Sequence, residues 1–430
     1  MRGNIERESI VTERLSSSSA NYVLDEDCPK NSNKGLSEMG IQTQKQVRPT
    51  AKKSKREKLL TNPDIKRWYD NLARASIVTA EVRLRRLGHF CETHQMTPME
   101  LAELGMKDLR DATDFIQDHV TWMEEKKYSA GYIETTLTAV KSWLRHFDIE
   151  IRRKIRISNA DSTPTLENER VPDAEEMTEI FNRASLKASA CISLISKAGL
   201  RPQVMGNFDG TDGLMLRDLP DIAIIQGVAI CLQYPPRVIV RKTLSKARHQ
   251  YYTFLTINGT KALLAYLNER LCNKDCPPIT ADSPVIAPDL NYDRRRGGNN
   301  AKKFLPTTQI SRTIRETLRP RFNWRPYVLR AYFDTQLLIA ESKGKIAHDF
   351  RVFFMGHKGS IEAKYTTNKG ILPEALINEM REAFKRSQEF LDLELKQEDV
   401  LAKKKEQLHT AIETATPEKV QEILKIICKT

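Results

Sequence analysis

Residues 353–367 read Phe-Phe-Met-Gly-His-Lys-Gly-Ser-Ile-Glu-Ala-Lys-Tyr-Thr-Thr and place His357 eight positions before Tyr365, with small and polar residues between them. Tyr365 is the candidate nucleophile of this stretch. A phenol with a pKa of ~10 is a poor nucleophile at neutral pH, so its target has to be neutralised and held in line by neighbouring cations. The rest of the chain therefore has to supply positive charge.

Two arginines elsewhere in the sequence provide such cations. Arg201 lies in Ala-Gly-Leu-Arg-Pro at residues 198–202, and Arg330 lies in Arg-Pro-Tyr-Val-Leu-Arg-Ala-Tyr-Phe at residues 325–333. A guanidinium group stays charged at any working pH and makes planar, bidentate hydrogen bonds. Two of them can hold the non-bridging oxygens of a phosphodiester while charge develops there. The pattern indicates a phosphate clamp.

The order of these motifs, two arginines, a Gly-His pair and a following tyrosine, resembles the tyrosine recombinase (phage integrase) family. The resemblance extends over roughly residues 62–370, and the wording of residues 206–214, Gly-Asn-Phe-Asp-Gly-Thr-Asp-Gly-Leu, is similar to archaeal members. It implies a site-specific DNA recombinase or integrase in which Tyr365 attacks a DNA phosphate, forms a 3′-phosphotyrosine and releases a 5′-hydroxyl. The covalent link conserves the bond energy, so neither ATP nor a metal is needed.

The resemblance also implies roles for the residues around the nucleophile. Arg201 and Arg330 are the expected catalytic arginines, and His357 is expected to hydrogen-bond the phosphate or the nucleophile. The family places a lysine in the hairpin between its second and third strands, where it protonates the leaving 5′-oxygen. Both Lys242 and Lys246 qualify. We prefer Lys242 because its Lys-Thr pair matches the common placement before the turn.

Two positions depart from the family pattern. Tyr327 stands where the family usually has a histidine. One helical turn before the second arginine, a neutral tyrosine would donate or accept a hydrogen bond at the phosphate; the alternative is that it merely packs. Val204 replaces the acidic residue that commonly follows the first arginine, so Asp209 or Asp212 is the expected support for that arginine.

Charge and composition indicate the partner and the compartment. The 430 residues carry 69 Lys+Arg against 56 Asp+Glu, a formal charge of +13, which favours a polyanion but only weakly separates DNA from RNA or a membrane. The resemblance implies double-stranded DNA as the partner. No apolar run approaches the ~20 residues of a membrane span, and the polar start lacks the apolar core of a signal peptide. Seven scattered cysteines favour reduced thiols. We predict a cytoplasmic, DNA-associated prokaryotic protein with no membrane partner.

Motifs for cofactors are not found in the sequence. There is no GxGxxG and no Walker-type phosphate loop, so a nucleotide cofactor has no support. Cys272 and Cys276 have no second Cys/His pair at zinc spacing and are expected to be ordinary thiols. The sequence predicts neither a cofactor nor a metal.

Helical periodicity dominates the first half of the chain after a polar start. Residues 76–91, 111–125 and 129–147 are amphipathic, and Thr97, Pro98 and Glu100 form an N-cap, a first-turn proline and a carboxylate at the third helical position. Residues 223–233, 237–243 and 250–257 are rich in Ile, Val and aromatic residues and predict strands. The predicted fold class is mostly α with a small antiparallel sheet (α+β).

Composition and the resemblance together divide the chain into five segments. They are a disordered basic N-terminal tail (1–58), a helical core-binding DNA-binding domain (59–156), a linker (157–170), a tyrosine recombinase catalytic domain (171–370) and a helical C-terminal tail (371–430).

The last residues predict a short amphipathic helix. Val420, Ile423, Leu424 and Ile427 form an apolar stripe that needs a surface to bury it. It packs either on its own catalytic domain or, as the resemblance implies, on a neighbouring protomer in a homo-tetramer on two DNA sites. Two other functions remain open on this fold: a non-catalytic DNA-binding regulator and a type IB topoisomerase, which shares the chemistry without strand exchange.

Overall fold

A computed structural model of the chain describes residues 54–160, 169–289, 302–359, 361 and 372–392. The chain divides into two compact units, residues 1–165 and 166–430, which are taken one at a time below. Tyr365 and the predicted apolar stripe at 420–427 lie outside the described residues. No described helix is long and apolar enough to cross a membrane.

The first unit contains six helices up to Arg145 and then turns and irregular chain in its described residues. Its helices are α1 (Lys55–Leu60), α2 (Pro63–Ala75), α3 (Ile77–Thr93), α4 (Pro98–Lys107), α5 (Leu109–Glu125) and α6 (Ala130–Arg145). The predicted start of α4 is confirmed: the Glu100 N–H donates to the Thr97 hydroxyl over 3.2 Å, and the Thr97 N–H donates to the Glu100 carboxylate over 2.6 Å. These bonds satisfy backbone donors that a helix start leaves without partners.

Tryptophan and histidine side chains fill the core of this unit. Trp143 is fully buried and donates its indole N–H to the Pro98 carbonyl over 2.6 Å, and Trp68 meets it edge-on at 5.6 Å between ring centroids. His94 Nε2 and His119 Nδ1 lie 2.9 Å apart, so one imidazole donates to the other. The pair joins the end of α3 to α5.

The second unit carries the remaining elements. Its helices are α7 (Ala174–Arg183), α8 (Leu186–Ser196), α9 (Pro202–Met205), α10 (Ile257–Cys272), α11 (Thr307–Leu318), α12 (Tyr327–Ser342), α13 (His348–Phe354) and α14 (Glu374–Leu391), and its strands are β1 (Ile222–Ile225), β2 (Val228–Cys231), β3 (Arg237–Val240) and β4 (Tyr251–Phe254). The predicted class, mostly α with little antiparallel sheet, is confirmed. The strands form two separate two-stranded sheets rather than one.

The prediction of a single strand over 223–233 was wrong. The segment is a hairpin in which β1 pairs with β2, with Ile225 opposite Val228. Gln226 and Gly227 form the loop with φ of 52° and 77°, and positive φ at both central residues is what a type I′ hairpin turn requires. Apolar residues fill both strands, which hid the turn in the composition.

The second sheet pairs β3 with β4 and leads towards the candidate site. Val240 lies opposite Tyr251, and the ten residues between them form the connection. Both strands are shorter than predicted. All four residues of β4 are buried, so this strand runs through the core of the unit.

Helix α14 belongs to the core of the second unit. Met380 and Phe384 are fully buried, and the Tyr332 hydroxyl donates to the Leu391 carbonyl over 3.1 Å. Arg381 pairs with Asp221 at 3.0 Å. The part of the predicted tail at 374–391 is therefore an integral element of this unit.

Candidate active site

Arg330 lies on the first turn of α12 with a buried guanidinium group. It is 3% exposed, and Nη2 donates to the Met355 carbonyl over 2.6 Å. Nη1 is also buried, and within the described ranges no acceptor bonds it. A buried donor without a partner costs about 1–3 kcal/mol, more when the group is charged. Arg330 therefore presents a charged hydrogen-bond donor that no described residue uses.

Arg201 stands at the N-cap of α9, just beyond a tight reversal after α8. Gly199 makes this reversal with φ +68°, and a Cβ there would lie 2.5 Å from the ring of Phe333 on α12. The glycine thus lets the segment carrying Arg201 approach the helix carrying Arg330. The two cations interact: burial first, and then the charge of Arg201, lowers the pKa of Arg330 to about 10. Arg330 remains charged at neutral pH.

His357 follows the end of α13 through another left-handed glycine. Gly356 has φ +62°, and the His357 N–H donates to the Val352 carbonyl over 3.1 Å. The imidazole is half-buried. Its pKa is lowered below the usual value, first by burial and then by the charges of Arg330 and Arg201. At neutral pH the structure therefore favours a neutral imidazole, which donates with one nitrogen and accepts with the other.

The connection between β3 and β4 brings a lysine to the arginines. Its first turn is fixed by the Leu244 and Ser245 N–H groups, which donate to the Arg241 carbonyl over 3.0 and 3.1 Å. Gln203, on the helix that follows Arg201, donates to the Leu244 carbonyl over 3.3 Å. The pKa of Lys246 is lowered, first by partial burial of its ammonium group and then by the charges of both arginines. The structure thus brings Lys246 near them.

Lys242 and Tyr327, two further residues predicted for the site, have exposed positions. Lys242 lies at the exposed start of the β3–β4 connection, and Lys246 is exposed as well, so exposure does not distinguish the two lysines. Tyr327 opens α12 and is 58% exposed, so it does not pack in the interior. It lies close enough to Arg330 to raise that residue's pKa slightly. A side chain so placed is accessible to a large ligand.

The carboxylates expected to support Arg201 bind other residues. Asp212 pairs with Arg241 at 2.7 Å and accepts from the Thr243 hydroxyl over 2.8 Å. Asp209 accepts from the Thr211 hydroxyl over 2.7 Å. Asp212 therefore holds the start of the β3–β4 connection rather than the arginine, and this connection carries Lys246.

Tyr251, which the sequence did not single out, also lies at this cluster. It opens β4, is buried and interacts electrostatically with both Arg330 and Arg201. A Cβ on Gly356 would lie 2.5 Å from Cε1 and Cζ of its ring. The pair Tyr251-Tyr252 after a basic turn was the available signal, but it also fits an ordinary buried strand.

No protein-family model and no curated protein sequence matches the chain. Solved structures that are similar to it include a XerA recombinase (17% identity, 74% of this chain and 97% of that chain, TM-score 0.30); an integrase from mycobacterium phage Brujita (16%, 78% and 98%, TM-score 0.31); and the integrase of transposon Tn1549 with transposon right-end DNA (13%, 74% and 98%, TM-score 0.35). At such scores, only the residues of the site can carry a functional conclusion.

Proposed function

We propose that the protein is a site-specific DNA recombinase or integrase that cleaves and rejoins DNA through a 3′-phosphotyrosine. One observation carries the proposal: the buried guanidinium of Arg330 has a donor that no described residue uses, and it lies beside Arg201, His357 and Lys246. A buried guanidinium with a second arginine and a lysine beside it suits a phosphate group far better than a neutral ligand.

The arginines bind the scissile phosphate in this proposal. Nη1 of Arg330 donates to one non-bridging oxygen, and Arg201 donates to the other. Because the guanidinium of Arg330 is already held by the Met355 carbonyl, it needs no reorganisation as the phosphate gains charge. Fixed donors aimed at developing charge are commonly the largest single contribution to such catalysis, with one donor worth about 10²–10³ in rate.

Tyr365 supplies the nucleophile on the strength of the sequence motif. Its hydroxyl gives up a proton to the neutral imidazole of His357 or to water as its oxygen forms a bond to phosphorus. The bond from phosphorus to the 5′-oxygen breaks, and the 5′-oxygen takes up a proton. His357, neutral at neutral pH, is the hydrogen-bond partner of the phosphate or of the tyrosine hydroxyl. The reverse step, in which a 5′-hydroxyl of a second strand attacks the phosphotyrosine, restores the free enzyme.

The proton for the leaving 5′-oxygen comes from a lysine of the β3–β4 connection. Lys242 was preferred from the sequence, but Lys246 interacts with both arginines, and partial burial and then their charges lower the pKa of its ammonium group. We therefore propose Lys246 as the general acid and keep Lys242 as the alternative that the experiment below separates.

The first unit contributes a basic surface for the DNA backbone. Arg83 on α3 and Lys141 and Arg145 on α6 lie close together, and the pKa values of Arg83 and Lys141 are lowered by burial and then by the charge of Arg145. Cations that repel one another at a protein surface gain from a polyanion. A homo-tetramer on two DNA sites completes the proposal and follows from the motif resemblance alone.

Covalent capture tests the reaction. The full chain is incubated with nicked suicide duplexes from the sequences flanking its gene, and protein–DNA adducts are counted after denaturation. Wild type should form an adduct, whereas Arg330→Lys should bind DNA and cleave at least about 10²-fold more slowly, because a point charge does not reproduce the planar fork. DNA binding without any adduct would favour the non-catalytic regulator. Relaxation of supercoiled DNA without strand exchange would favour the topoisomerase.

A modified leaving group separates the two lysines. A 5′-bridging phosphorothioate leaves without needing a proton, so it should rescue a variant that lacks the general acid. Lys246→Ala should cleave this substrate far faster than ordinary DNA, and Lys242→Ala should treat both substrates alike. Rescue of Lys242→Ala alone would return the role to Lys242.

A further inference from the structure

The Tyr251 hydroxyl is buried and has no partner within the part of the chain that the structure describes. Other buried tyrosines of the same unit are bonded. The Tyr252 hydroxyl donates to the Met380 sulfur over 3.0 Å, that of Tyr332 donates to a carbonyl over 3.1 Å, and that of Tyr266 accepts a backbone N–H over 3.1 Å. Since a buried hydroxyl without a partner is destabilising, Tyr251 is the exception that needs a reason.

The phenol end of Tyr251 lies against the backbone at Gly356, between the carbonyl that binds Arg330 and the residue His357. Met355 accepts the hydrogen bond of Arg330, the next residue is Gly356, and His357 follows. A Cβ on Gly356 would lie 2.5 Å from Cζ of Tyr251, the atom that carries the hydroxyl. The hydroxyl is therefore held at the same short segment as the two groups proposed to contact the phosphate.

The position of Tyr251 in β4 also places it at the end of the connection that carries Lys246. The residue opens β4, five positions after Lys246, and pairs with Val240 at the end of β3. Both ends of the connection that carries the proposed general acid are thus anchored in this sheet. The ring is too buried to move aside, because β4 is buried along its whole length.

The protonation state of Tyr251 suits a donor and excludes a second nucleophile. Burial raises the pKa of the phenol, and the charges of Arg330 and Arg201 offset this only in part. The hydroxyl keeps its proton at neutral pH. A neutral O–H next to two guanidinium groups can donate to an anion without adding charge to the site.

We infer that Tyr251 is a further catalytic residue, whose buried hydroxyl donates a hydrogen bond to a non-bridging oxygen of the phosphate held by Arg201 and Arg330. The inference rests on the proposed function, because it assigns a third donor to the same phosphate. The phosphate would then accept hydrogen bonds from two charged groups, Arg201 and Arg330, and from the neutral hydroxyl of Tyr251.

The adjacent tyrosine provides a matched control for the test. Tyr251→Phe and Tyr252→Phe remove the same atom from neighbouring positions of one strand, but among the described residues only the second breaks a hydrogen bond. We expect Tyr251→Phe to unfold at the wild-type temperature or above it and Tyr252→Phe to unfold below it. A purely structural role for the Tyr251 hydroxyl would instead lower the unfolding temperature of Tyr251→Phe.

Single-turnover cleavage gives the catalytic readout. Tyr251→Phe should form the covalent adduct about 10- to 100-fold more slowly than wild type at unchanged DNA affinity, since a hydrogen bond to a charged group is worth about that much. Tyr252→Phe should cleave at the wild-type rate. Equal rates for Tyr251→Phe and wild type would overturn the inference.

Binding of inorganic phosphate tests the donor without any catalysis. Stabilisation of the full chain by phosphate, measured as a shift in unfolding temperature against chloride of equal ionic strength, should be strong for wild type and Tyr252→Phe. Tyr251→Phe should need about 10-fold more phosphate for the same shift. If wild type forms no adduct, the proposed reaction fails while this result still decides the role of Tyr251. Equal phosphate dependence in both variants, or none in wild type, would overturn it.

Discussion

Replacing Gly356 by alanine perturbs the contact on which the candidate site depends. The residue has φ +62°, and an added Cβ would lie 2.5 Å from Cε1 and Cζ of Tyr251. Ordinary contact begins near 3.4 Å, so the ring or the backbone before His357 has to move by nearly 1 Å. Because Tyr251 is buried on all sides, we expect the backbone to yield.

The substitution lowers the free energy of unfolding through backbone strain and through overpacking, and a second glycine separates these two effects. A left-handed conformation costs a non-glycine residue about 1–2 kcal/mol. Gly344 has φ +68° and nothing within 4 Å of an added Cβ, so Gly344→Ala should show this part alone. Overpacking adds about 1–3 kcal/mol. Gly356→Ala should therefore lower the free energy of unfolding by about 2–5 kcal/mol, against about 1–2 kcal/mol for Gly344→Ala.

Urea unfolding followed by circular dichroism measures both variants. The unfolded chain loses the same entropy in each glycine-to-alanine change, so that effect cancels in the comparison. Gly356→Ala should also slow adduct formation, while Gly344→Ala should cleave as wild type does. If the two variants unfold at the same urea concentration with the same slope, Tyr251 does not press on Gly356 and the geometry of the site is wrong.

Three further results are expected. Burial and then the charge of His94 lower the pKa of His119 to about 4. As the pH falls, the unfolded chain therefore binds the proton before the folded chain does. The free energy of unfolding should keep its full value above pH ~6.5 and fall by on the order of 3 kcal/mol as the pH drops to ~4. Urea unfolding followed by tryptophan fluorescence should show this loss, and His119→Gln should abolish it. The buried carboxylate of Glu169 binds the guanidinium and N–H of Arg325, so Glu169→Gln should cost about 2–3 kcal/mol in thermal unfolding; no loss would leave the pair without effect. His357 should titrate by NMR below its usual pKa, and phosphate should raise that pKa by neutralising the arginines; a value unmoved by phosphate would place the anion elsewhere.

Local signals in the sequence predicted the helices well. Thr97, Pro98 and Glu100 determine where α4 starts through bonds between near neighbours, and amphipathic periodicity locates α3 and α5 to within a few residues. Such signals depend on a few consecutive residues, so they can be read without knowledge of the tertiary structure.

Contacts between distant segments account for what the sequence left unpredicted. The loop at Gln226 and Gly227 lacks the Asn-Gly sequence that is usual in such turns, and the strands around it are apolar on both faces. Lys246 could not be ranked above Lys242, because their difference arises where the β3–β4 connection approaches Arg201. The position of Tyr251 at the site depends on its contact with Gly356, about a hundred positions later in the chain. Only the folded chain shows such proximity.

The site residues divide in the same way. Arg201, Arg330 and His357 stand in motifs that are recognisable one at a time, and the structure brings these three together. The expected support of Arg201 by Asp212 failed, because the carboxylate is held by Arg241 instead. A motif identifies the residue type that chemistry requires, but its hydrogen-bond partners depend on neighbours that the motif does not contain.

The most direct test of the proposed reaction is the identity of the residue that carries the DNA. The wild-type chain is trapped on a suicide duplex, the DNA and protein are digested, and the modified peptide is sequenced by mass spectrometry. The account predicts a nucleotide linked through its 3′-phosphate to Tyr365, and no adduct from Tyr365→Phe. A DNA linkage at any other residue, or an adduct that persists in Tyr365→Phe, would contradict it.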